Sequence, residues 1–289
     1  MNAMRSYAKA SNASRHEVMS RDDGSASEGR GRGNVDEKER AKFEDDASEW
    51  WNERRGPFAA LHAMNPTRVE FIRDCALKHF GGVRGERALE GRTVCDVGCG
   101  GGILAESLAR LGATVTAIDA GEANIAKARA HAALDEEKLG KNLRYEATTA
   151  EELVERGETF DIVTSLEVIE HVTDPIEFTK SIASLVKPSG ALFLSTINRT
   201  ARSFALAIVA AERVFGVVPP GTHQFSKFLT PGEIAMLARR GGCEMKELAG
   251  MVYDPITNTW SLSTDTQINF IAYCVKSAEP ERAAPSNEH

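Results

Sequence analysis

Three side chains that could do acid–base or metal chemistry lie close together in the middle of the chain. Glu167, Glu170 and His171 follow a short apolar run, and their i, i+3, i+4 spacing would place them on one face of a helical turn. Two carboxylates and an imidazole can bind a divalent cation, with Mg²⁺ or Mn²⁺ favoured and Zn²⁺ accommodated. His171 could instead act directly as a general base, and a solvated helix start rich in acids is the third interpretation.

A glycine-rich segment at residues 94–102 predicts a ligand-binding turn. Its first residues indicate a buried strand, and Gly98, Gly100 and Gly102 follow at alternate positions before apolar residues of helical spacing. Glycines let the backbone approach a ligand closely, and the start of a helix offers unpaired N–H groups. A tight turn with a buried carboxylate is the alternative.

The acidic residues around this turn favour a cationic nucleoside over a dinucleotide. A dinucleotide site needs the pattern G-x-G-x-x-G, whereas Ile103 stands at the position of its last glycine. Asp96, just before the turn, would repel a pyrophosphate and attract a sulfonium or ammonium group. Asp119 ends the next predicted strand, where a carboxylate can accept hydrogen bonds from both ribose hydroxyls. The pattern therefore predicts S-adenosylmethionine, with a dehydrogenase as the alternative chemistry.

Alternating strands and helices predict a doubly wound, mostly parallel α/β sheet. Seven strands are predicted, at residues 93–97, 114–119, 143–147, 161–165, 191–197, 244–251 and 270–275. No helix is predicted between the last two, so we expect them to form an antiparallel pair at one edge. Glu167, Glu170 and His171 follow the fourth strand, at the carboxyl end of the sheet, where ligands of such folds bind.

Two helical regions accompany the predicted sheet. Residues 35–80 are rich in aromatic side chains before a break at Asn65 and Pro66, and we expect them to cap the carboxyl ends of the strands. Residues 198–229 form an insertion whose middle, 203–218, is nearly all apolar but too short to cross a bilayer. The insertion could lie on a membrane surface, cover an apolar substrate, or pack as an ordinary lid helix.

Composition limits the class of partner. The 289 residues carry a formal net charge of −7, which disfavours a nucleic acid partner. The sequence has no apolar run of the roughly 18 residues that a transmembrane helix needs. Its five cysteines form no C-x-x-C pair, so we expect free thiols in a reducing compartment, with Cys95 and Cys99 packed in the core rather than ligating metal.

The two ends of the chain differ in composition from the middle. Residues 1–34 have almost no large apolar side chains and are predicted to be disordered. Their arginines and serines are typical of an organelle targeting peptide, whereas their acidic residues are not, so a plain disordered tail is the alternative. Residues 277–289 are polar and are predicted to be a flexible tail.

Several motifs together resemble one family of methyltransferases. Residues 94–102, 114–119, 165–172 and 187–197 resemble class I S-adenosylmethionine-dependent methyltransferases, which have a Rossmann-like fold. More specific motifs resemble the ubiquinone biosynthesis O-methyltransferases of bacteria and mitochondria. These are WW at 50–51, GPF at 56–58, LHAMNPTR at 61–68, STINRT at 195–200, GTH at 221–223 and YDPITNT at 253–259. The likeness covers residues 35–276, which would form the methyltransferase domain.

The resemblance implies roles for individual residues. Arg68 would bind the carboxylate end of the cofactor, although its spacing alone indicates a solvated helix residue. Leu166 stands where bacterial members often have Met and would line the adenosine pocket. The candidate cofactor-binding residues are Arg68, Asp96, Gly98, Gly100, Asp119 and Leu166. The candidate ligands for a divalent metal, which we expect to be Mg²⁺, are Glu167, Glu170 and His171, and the candidate catalytic residues are His171 and Glu170.

The resemblance also implies a substrate and a location. The family methylates a polyprenylated dihydroxybenzoate and, later, demethylubiquinol, and a metal on the catechol would lower the pKa of its hydroxyls. Residues 198–229 would touch membrane lipid and guard the polyprenyl substrate's access. Mitochondrial members work with other ubiquinone-pathway proteins on the matrix face of the inner membrane, and a bacterial member would be peripheral to the membrane in the cytoplasm. A methyltransferase of soluble catechols and a cofactor-binding accessory subunit are the alternatives.

Overall fold

An eight-stranded β-sheet organises the part of the chain that the computed structural model describes, residues 33–54, 56–203, 225–257 and 259–278. The strands are β1 Thr93–Val97, β2 Thr114–Asp119, β3 Leu143–Ala147, β4 Phe160–Leu166, β5 Val186–Ile197, β6 Cys243–Asp254, β7 Thr259–Ser263 and β8 Asn269–Lys276. They lie in the order β3-β2-β1-β4-β5-β8-β6-β7. The first five are parallel, and β8, β6 and β7 are antiparallel to their neighbours. The strand order reverses between β1 and β4, which is where such sheets bind ligands.

Helices connect the strands and cover the sheet. Among the described residues they are α1 Glu37–Asp45, α2 Ala59–Phe80, α3 Ile103–Arg110, α4 Glu122–Ala132, α5 Glu136–Leu139, α6 Ala150–Glu155, α7 Pro175–Ser184, α8 Ala201–Ser203 and α9 Pro231–Arg240. Several begin at a side chain that accepts from the free N–H groups of the first turn. Asp36 caps α1 in this way, and Thr149 and Thr230 form capping boxes at α6 and α9.

Hydrophobic layers enclose the sheet on both faces. Neighbouring residues of a strand point to opposite faces, and accordingly Val94 of β1 belongs to one layer and Cys95 to the other. The first layer contains buried residues of α2, α3 and α4, and the second contains buried residues of α6, α7 and α9. The predicted doubly wound, mostly parallel sheet is therefore confirmed.

The sheet has one strand more than the sequence predicted. β7 pairs with β6 and occupies the edge, so the predicted antiparallel pair, β6 and β8, lies inside the sheet. Thr259–Ser263 has a half-exposed pattern without a continuous apolar run, which explains why it was missed. β5 also begins earlier than expected, at Val186, because its pairing with β4 shifts register between Phe160 and Ile162 and so accommodates the predicted turn at residues 187–190.

The predicted helix break at Asn65 and Pro66 is wrong. α2 runs through Pro66 without interruption as far as Phe80. Proline in a helix interior removes one backbone hydrogen bond, and tertiary contacts must offset that loss. Asn65 supplies such contacts, because its side-chain amide donates to the Ile103 carbonyl at 3.2 Å and to Ser107 Oγ at 2.9 Å.

Three predictions lie wholly or mostly outside the described residues. They concern the N-terminal tail, the C-terminal tail, and the insertion at 198–229, of which 198–203 and 225–229 are described. Within the described ranges, no helix is long and apolar enough to cross a membrane. The five cysteines are all buried free thiols, as expected.

Candidate active site

The glycine turn joins β1 to α3 and is shaped by side chains that press against it. Gly98 has a φ of +75°, and a Cβ there would lie 2.5 Å from Val168 Cγ2. Gly100 has a φ of +52°, and a Cβ there would overlap the Trp50 ring. Only glycine tolerates both the left-handed backbone and this close packing. The turn is held by backbone N–H groups of Gly98 and Cys99, which donate to the Ile118 carbonyl at 2.8 and 2.9 Å.

Asp119 lies at the end of β2, directly beside this turn. Its Oδ2 accepts from the Gly100 N–H at 3.0 Å, and its Oδ1 accepts from the Gly121 N–H at 2.8 Å and from the Asn124 amide at 3.1 Å. Burial raises the pKa of its carboxyl, and these hydrogen bonds oppose the rise. Three of the roughly four lone-pair sites of this carboxylate are thus occupied, and the remaining one belongs to Oδ2. The carboxylate is therefore held in place, and its Oδ2 can still accept from a ribose hydroxyl.

Arg68 and Asp96 are buried residues of opposite charge that line the same cleft as the turn. Arg68 is only 5% exposed, so the interpretation of it as a solvated helix residue is wrong. α2 packs on the sheet with this face inward, which periodicity alone did not show. Burial lowers the pKa of Arg68, and the charges of Glu167 and Asp96 oppose that effect. Among the described residues, Arg68 Nε and Asp96 Oδ2 have no hydrogen-bond partner.

Asp96 itself is anchored at one oxygen. Its Oδ1 accepts from Thr164 Oγ1 at 2.7 Å, on the neighbouring strand β4. Burial raises the pKa of Asp96 to about 6, and the hydrogen bond from Thr164 opposes this. A cation that approaches the other oxygen would lower the pKa of Asp96 and so favour its ionised form at neutral pH.

The acid–base segment does not form the predicted helical turn. Glu167 follows β4 with a φ of +58°, and a separate 3₁₀ helix covers Ile169–His171. The three side chains consequently do not share one helix face, and that part of the prediction is wrong. Glu167 Oε1 accepts from Ser195 Oγ at 2.7 Å and lies 3.4 Å from Arg68 Nη2. Glu167 is thus tied to Ser195 and to the buried guanidinium of Arg68.

Glu170 and His171 lie on the 3₁₀ helix in different surroundings. Glu170 is buried, and its Oε2 has no hydrogen-bond partner among the described residues. Burial and the charge of Glu167 raise the pKa of Glu170 to about 7. His171 Nδ1 lies 3.0 Å from Glu39 Oε2 on α1. Across the described residues, no group of three or more His, Cys, Asp or Glu side chains is arranged to hold a metal ion.

One cleft brings most of the candidate residues together. It encloses about 1210 Å³ of empty space including its open mouth. The predicted residues that line it are Arg68, Asp96, Gly98, Gly100, Asp119, Leu166, Glu167 and His171. Glu170 is buried and is not among the lining residues. The predicted N-terminal cap contributes Phe43, Trp50 and Leu61 to the same walls.

Sequence reasoning did not predict the individual contacts that two residues of the cleft make. Trp50 covers the glycine turn, and its indole N–H donates to Asn124 Oδ1 at 2.8 Å. Glu39 contacts His171, which lies 132 residues further along the chain, and no local sequence pattern predicts such a contact.

Comparison with known proteins decides the family. A family model described as a methyltransferase domain matches residues 71–248. The mitochondrial ubiquinone biosynthesis O-methyltransferase of Arabidopsis thaliana is 49% identical over 243 residues, which cover 84% of this chain and 74% of that protein. The chain belongs to the ubiquinone biosynthesis O-methyltransferase family. The member from Parvibaculum lavamentivorans is 46% identical over 242 residues, covering 83% of this chain and 94% of that protein.

Solved structures agree with the fold of this methyltransferase family. The magnesium protoporphyrin IX methyltransferase of Synechocystis PCC 6803 with bound SAH has a TM-score of 0.59 at 21% identity, over 82% of this chain and 98% of that one. A SAM-dependent methyltransferase from Thermotoga maritima has a TM-score of 0.55 at 15% identity, over 83% and 100% of the two chains. At these identities the likeness supports the class I fold alone.

Proposed function

We propose that this chain transfers a methyl group from S-adenosylmethionine to a phenolic oxygen of polyprenylated catechol intermediates in ubiquinone biosynthesis. The observation that carries the proposal is the burial of two opposite charges, Arg68 and Asp96, in the lining of one cleft, in a chain of this family. Each residue keeps an unpartnered polar atom among the described residues. A ligand with both a carboxylate and cationic groups complements that pair, whereas a dinucleotide does not.

The cofactor's parts match the residues of the cleft. Arg68 would bind the carboxylate of the methionine end, since a guanidinium pairs well with a carboxylate. Asp96 would face the ammonium and sulfonium charges, and Asp119 would accept from a ribose hydroxyl. Backbone groups of Gly98 and Gly100 would approach the cofactor, and Leu166 would line the adenosine pocket.

Methyl transfer needs an aligned and deprotonated acceptor. A phenol has a pKa of about 10 and is mostly protonated at neutral pH. In the step without a bound cation, which is the alternative to metal-assisted deprotonation, His171 takes the phenolic proton as a general base. The oxygen's lone pair then forms a bond to the methyl carbon while the carbon–sulfur electron pair stays on sulfur. The products are the methyl ether, S-adenosylhomocysteine and a proton on His171, and holding the reactants in line supplies much of the rate.

A divalent cation, which we expect to be Mg²⁺, fits the chemistry of Glu167, Glu170 and His171. When bound, such a cation would lower the pKa of catechol hydroxyls and orient both oxygens. Burial and the charge of Glu167 raise the pKa of Glu170. A cation bound beside the two carboxylates would lower that pKa and stabilise both in the ionised form. Because no described group of three is arranged for a metal, binding by all three would require their side chains to rearrange.

The same family membership supports a proposal about location and partners. Residues 198–229 would contact membrane lipid and guard the polyprenyl tail's access to the cleft. We place the enzyme on the matrix face of the mitochondrial inner membrane if the source is eukaryotic, with other ubiquinone-pathway proteins as partners. In a bacterium it would be peripheral to the membrane on the cytoplasmic side.

Turnover with and without metal tests the reaction. The assay follows methyl transfer from labelled S-adenosylmethionine to a short-chain prenylated dihydroxybenzoate, in Mg²⁺ and in excess chelator. We expect turnover that falls more than about tenfold in chelator and in E170Q, since second-sphere and ligand losses at metal sites cost that much. Undiminished turnover in chelator would contradict the metal role and leave His171 as the base. No turnover while the cofactor still binds would contradict the substrate.

A further inference from the structure

Helix α1 brings a carboxylate to the one imidazole of the acid–base segment. Glu39 Oε2 lies 3.0 Å from His171 Nδ1, and the two side chains are 11% and 18% exposed. A carboxylate can only accept a hydrogen bond, so the proton of this contact belongs to Nδ1. His171 Nε2 makes no hydrogen bond to any residue that the structure describes. The neutral ring therefore has its lone pair on Nε2.

Further contacts fix the relative position of α1 and the 3₁₀ helix. Phe43, one turn after Glu39, meets the His171 ring edge to face, with centroids 5.1 Å apart and planes at 88°. On the far side of His171, the Thr173 N–H donates to the Asn34 carbonyl at 3.1 Å, and Val35 forms a bridge with Val172. The imidazole is thus held in position through its carboxylate partner, through the perpendicular ring of Phe43 and through the adjacent backbone.

A lysine near the end of the 198–229 insertion also approaches the carboxylate of Glu39. Lys227 Nζ lies 3.2 Å from Asp36 Oδ2 and 3.9 Å from Glu39 Oε1. The Asp36 contact ties α1 down without touching His171. It therefore offers a way to separate the anchoring of the helix from the positioning of the imidazole.

We infer that Glu39 is a positioning residue for His171, holding the ring with its proton on Nδ1 and its lone pair on Nε2. This inference rests on the proposed function for its consequence, since Nε2 is then the nitrogen available to a phenolic proton or a metal ion. Carboxylates that orient histidines in this way fix both the tautomer and the direction of the ring. In water the neutral imidazole can place its proton on either nitrogen, so loss of Glu39 leaves part of the population in the wrong form.

The kinetic test compares E39M with matched variants. E39M removes the acceptor at similar length, and we expect kcat to fall about 10–100-fold while the Kd for S-adenosylmethionine changes less than about threefold. E39Q keeps a carbonyl acceptor, and we expect its kcat to lie between those of E39M and the wild type. E39Q also replaces E39M as the test variant if E39M does not fold. E37M removes an exposed glutamate from the same helix, paired with Arg40, and should leave kcat unchanged. D36N keeps a competent helix cap but loses the charge that Lys227 contacts.

Nitrogen NMR of ¹⁵N-histidine-labelled protein gives a readout that does not depend on turnover. With the His171 signals assigned by their loss in H171N, we expect the wild type to carry its proton on Nδ1 and E39M to shift toward Nε2. An unchanged tautomer together with an unchanged kcat in E39M would overturn the inference. So would a loss of kcat and cofactor affinity that D36N reproduces, because Glu39 would then only anchor α1. If the wild type fails to turn over, the proposed function falls, and the tautomer comparison alone decides the role of Glu39.

Discussion

At the scale of single residues, the cleft contains a buried carboxylate, Asp96, whose negative charge a cationic cofactor would offset. Asp96 and Arg68 each favour the charged form of the other, yet burial works against both. Asp96 keeps one oxygen bound to Thr164 and the other without a partner in the described part of the chain. The site therefore has a carboxylate whose ionisation and ligand binding are coupled.

Cofactor affinity should consequently depend on pH around the pKa of Asp96. The pKa rises from 3.8 to about 6 in the folded protein, so Asp96 is mostly protonated below that value. Because the sulfonium prefers the ionised form, we expect the affinity for S-adenosylmethionine at pH 5 to be about tenfold weaker than at pH 7. The stability of the free protein depends on pH in the opposite direction. The contribution of Asp96 to the free energy of unfolding falls as pH rises from about 4 to about 6, because the unfolded chain releases this proton first.

Titration calorimetry at several pH values checks this prediction. D96N cannot ionise, so its weaker affinity should be nearly constant between pH 5 and pH 7. This control also separates Asp96 from Asp119, whose pKa burial raises as well. A wild-type affinity that does not change over this range, or a pH profile that D96N retains, would contradict the role of Asp96.

At the scale of elements, the sequence predicted what depends on local pattern and missed what depends on packing. The strand, glycine turn and helix at Gly98 were predicted because short apolar runs and alternate glycines are local signals. Pro66 was misread as a break, since buried contacts of Asn65 keep α2 continuous. Glu167 was placed on a helix because spacing cannot reveal a left-handed residue at the end of β4. The approach of Glu39 to His171 depends on tertiary structure alone.

The aromatic segment before α2 should stabilise the glycine turn directly. Trp50 stacks on Phe58 with centroids 3.7 Å apart, covers Gly100 and donates to Asn124, which in turn holds Asp119. We expect W50A to lower the free energy of unfolding by about 3–5 kcal/mol and to weaken cofactor binding.

Urea unfolding monitored by circular dichroism measures this loss, with calorimetry for the cofactor. W260A is the matched control, because Trp260 is half-buried on the edge strand β7, tilted against Tyr253, and lies apart from the cleft lining. Equal losses of stability in both variants, with cofactor affinity intact in W50A, would show that Trp50 contributes nothing specific to the turn.

At the scale of the whole molecule, the fold explains where the cofactor site lies, and family membership is the evidence for the acceptor. The reversal of strand order between β1 and β4 places the glycine turn, Asp119 and the acid–base segment at the same edge of the sheet. The relatives that share 46% and 49% identity with this chain are named for ubiquinone biosynthesis. Together these observations support O-methylation in ubiquinone biosynthesis, for which we propose a catechol that carries a polyprenyl tail rather than a soluble catechol.

A comparison of two acceptors tests this central claim most directly. The measurement is kcat/KM for methyl transfer to a dihydroxybenzoate with one prenyl unit and to the same dihydroxybenzoate without it. We predict a value about 100-fold higher for the prenylated acceptor, which is the effect of burying about two thirds of the five-carbon unit at about 0.8 kcal/mol per carbon. An equal or higher kcat/KM for the acceptor that lacks the prenyl unit would contradict the account and favour a methyltransferase of soluble catechols.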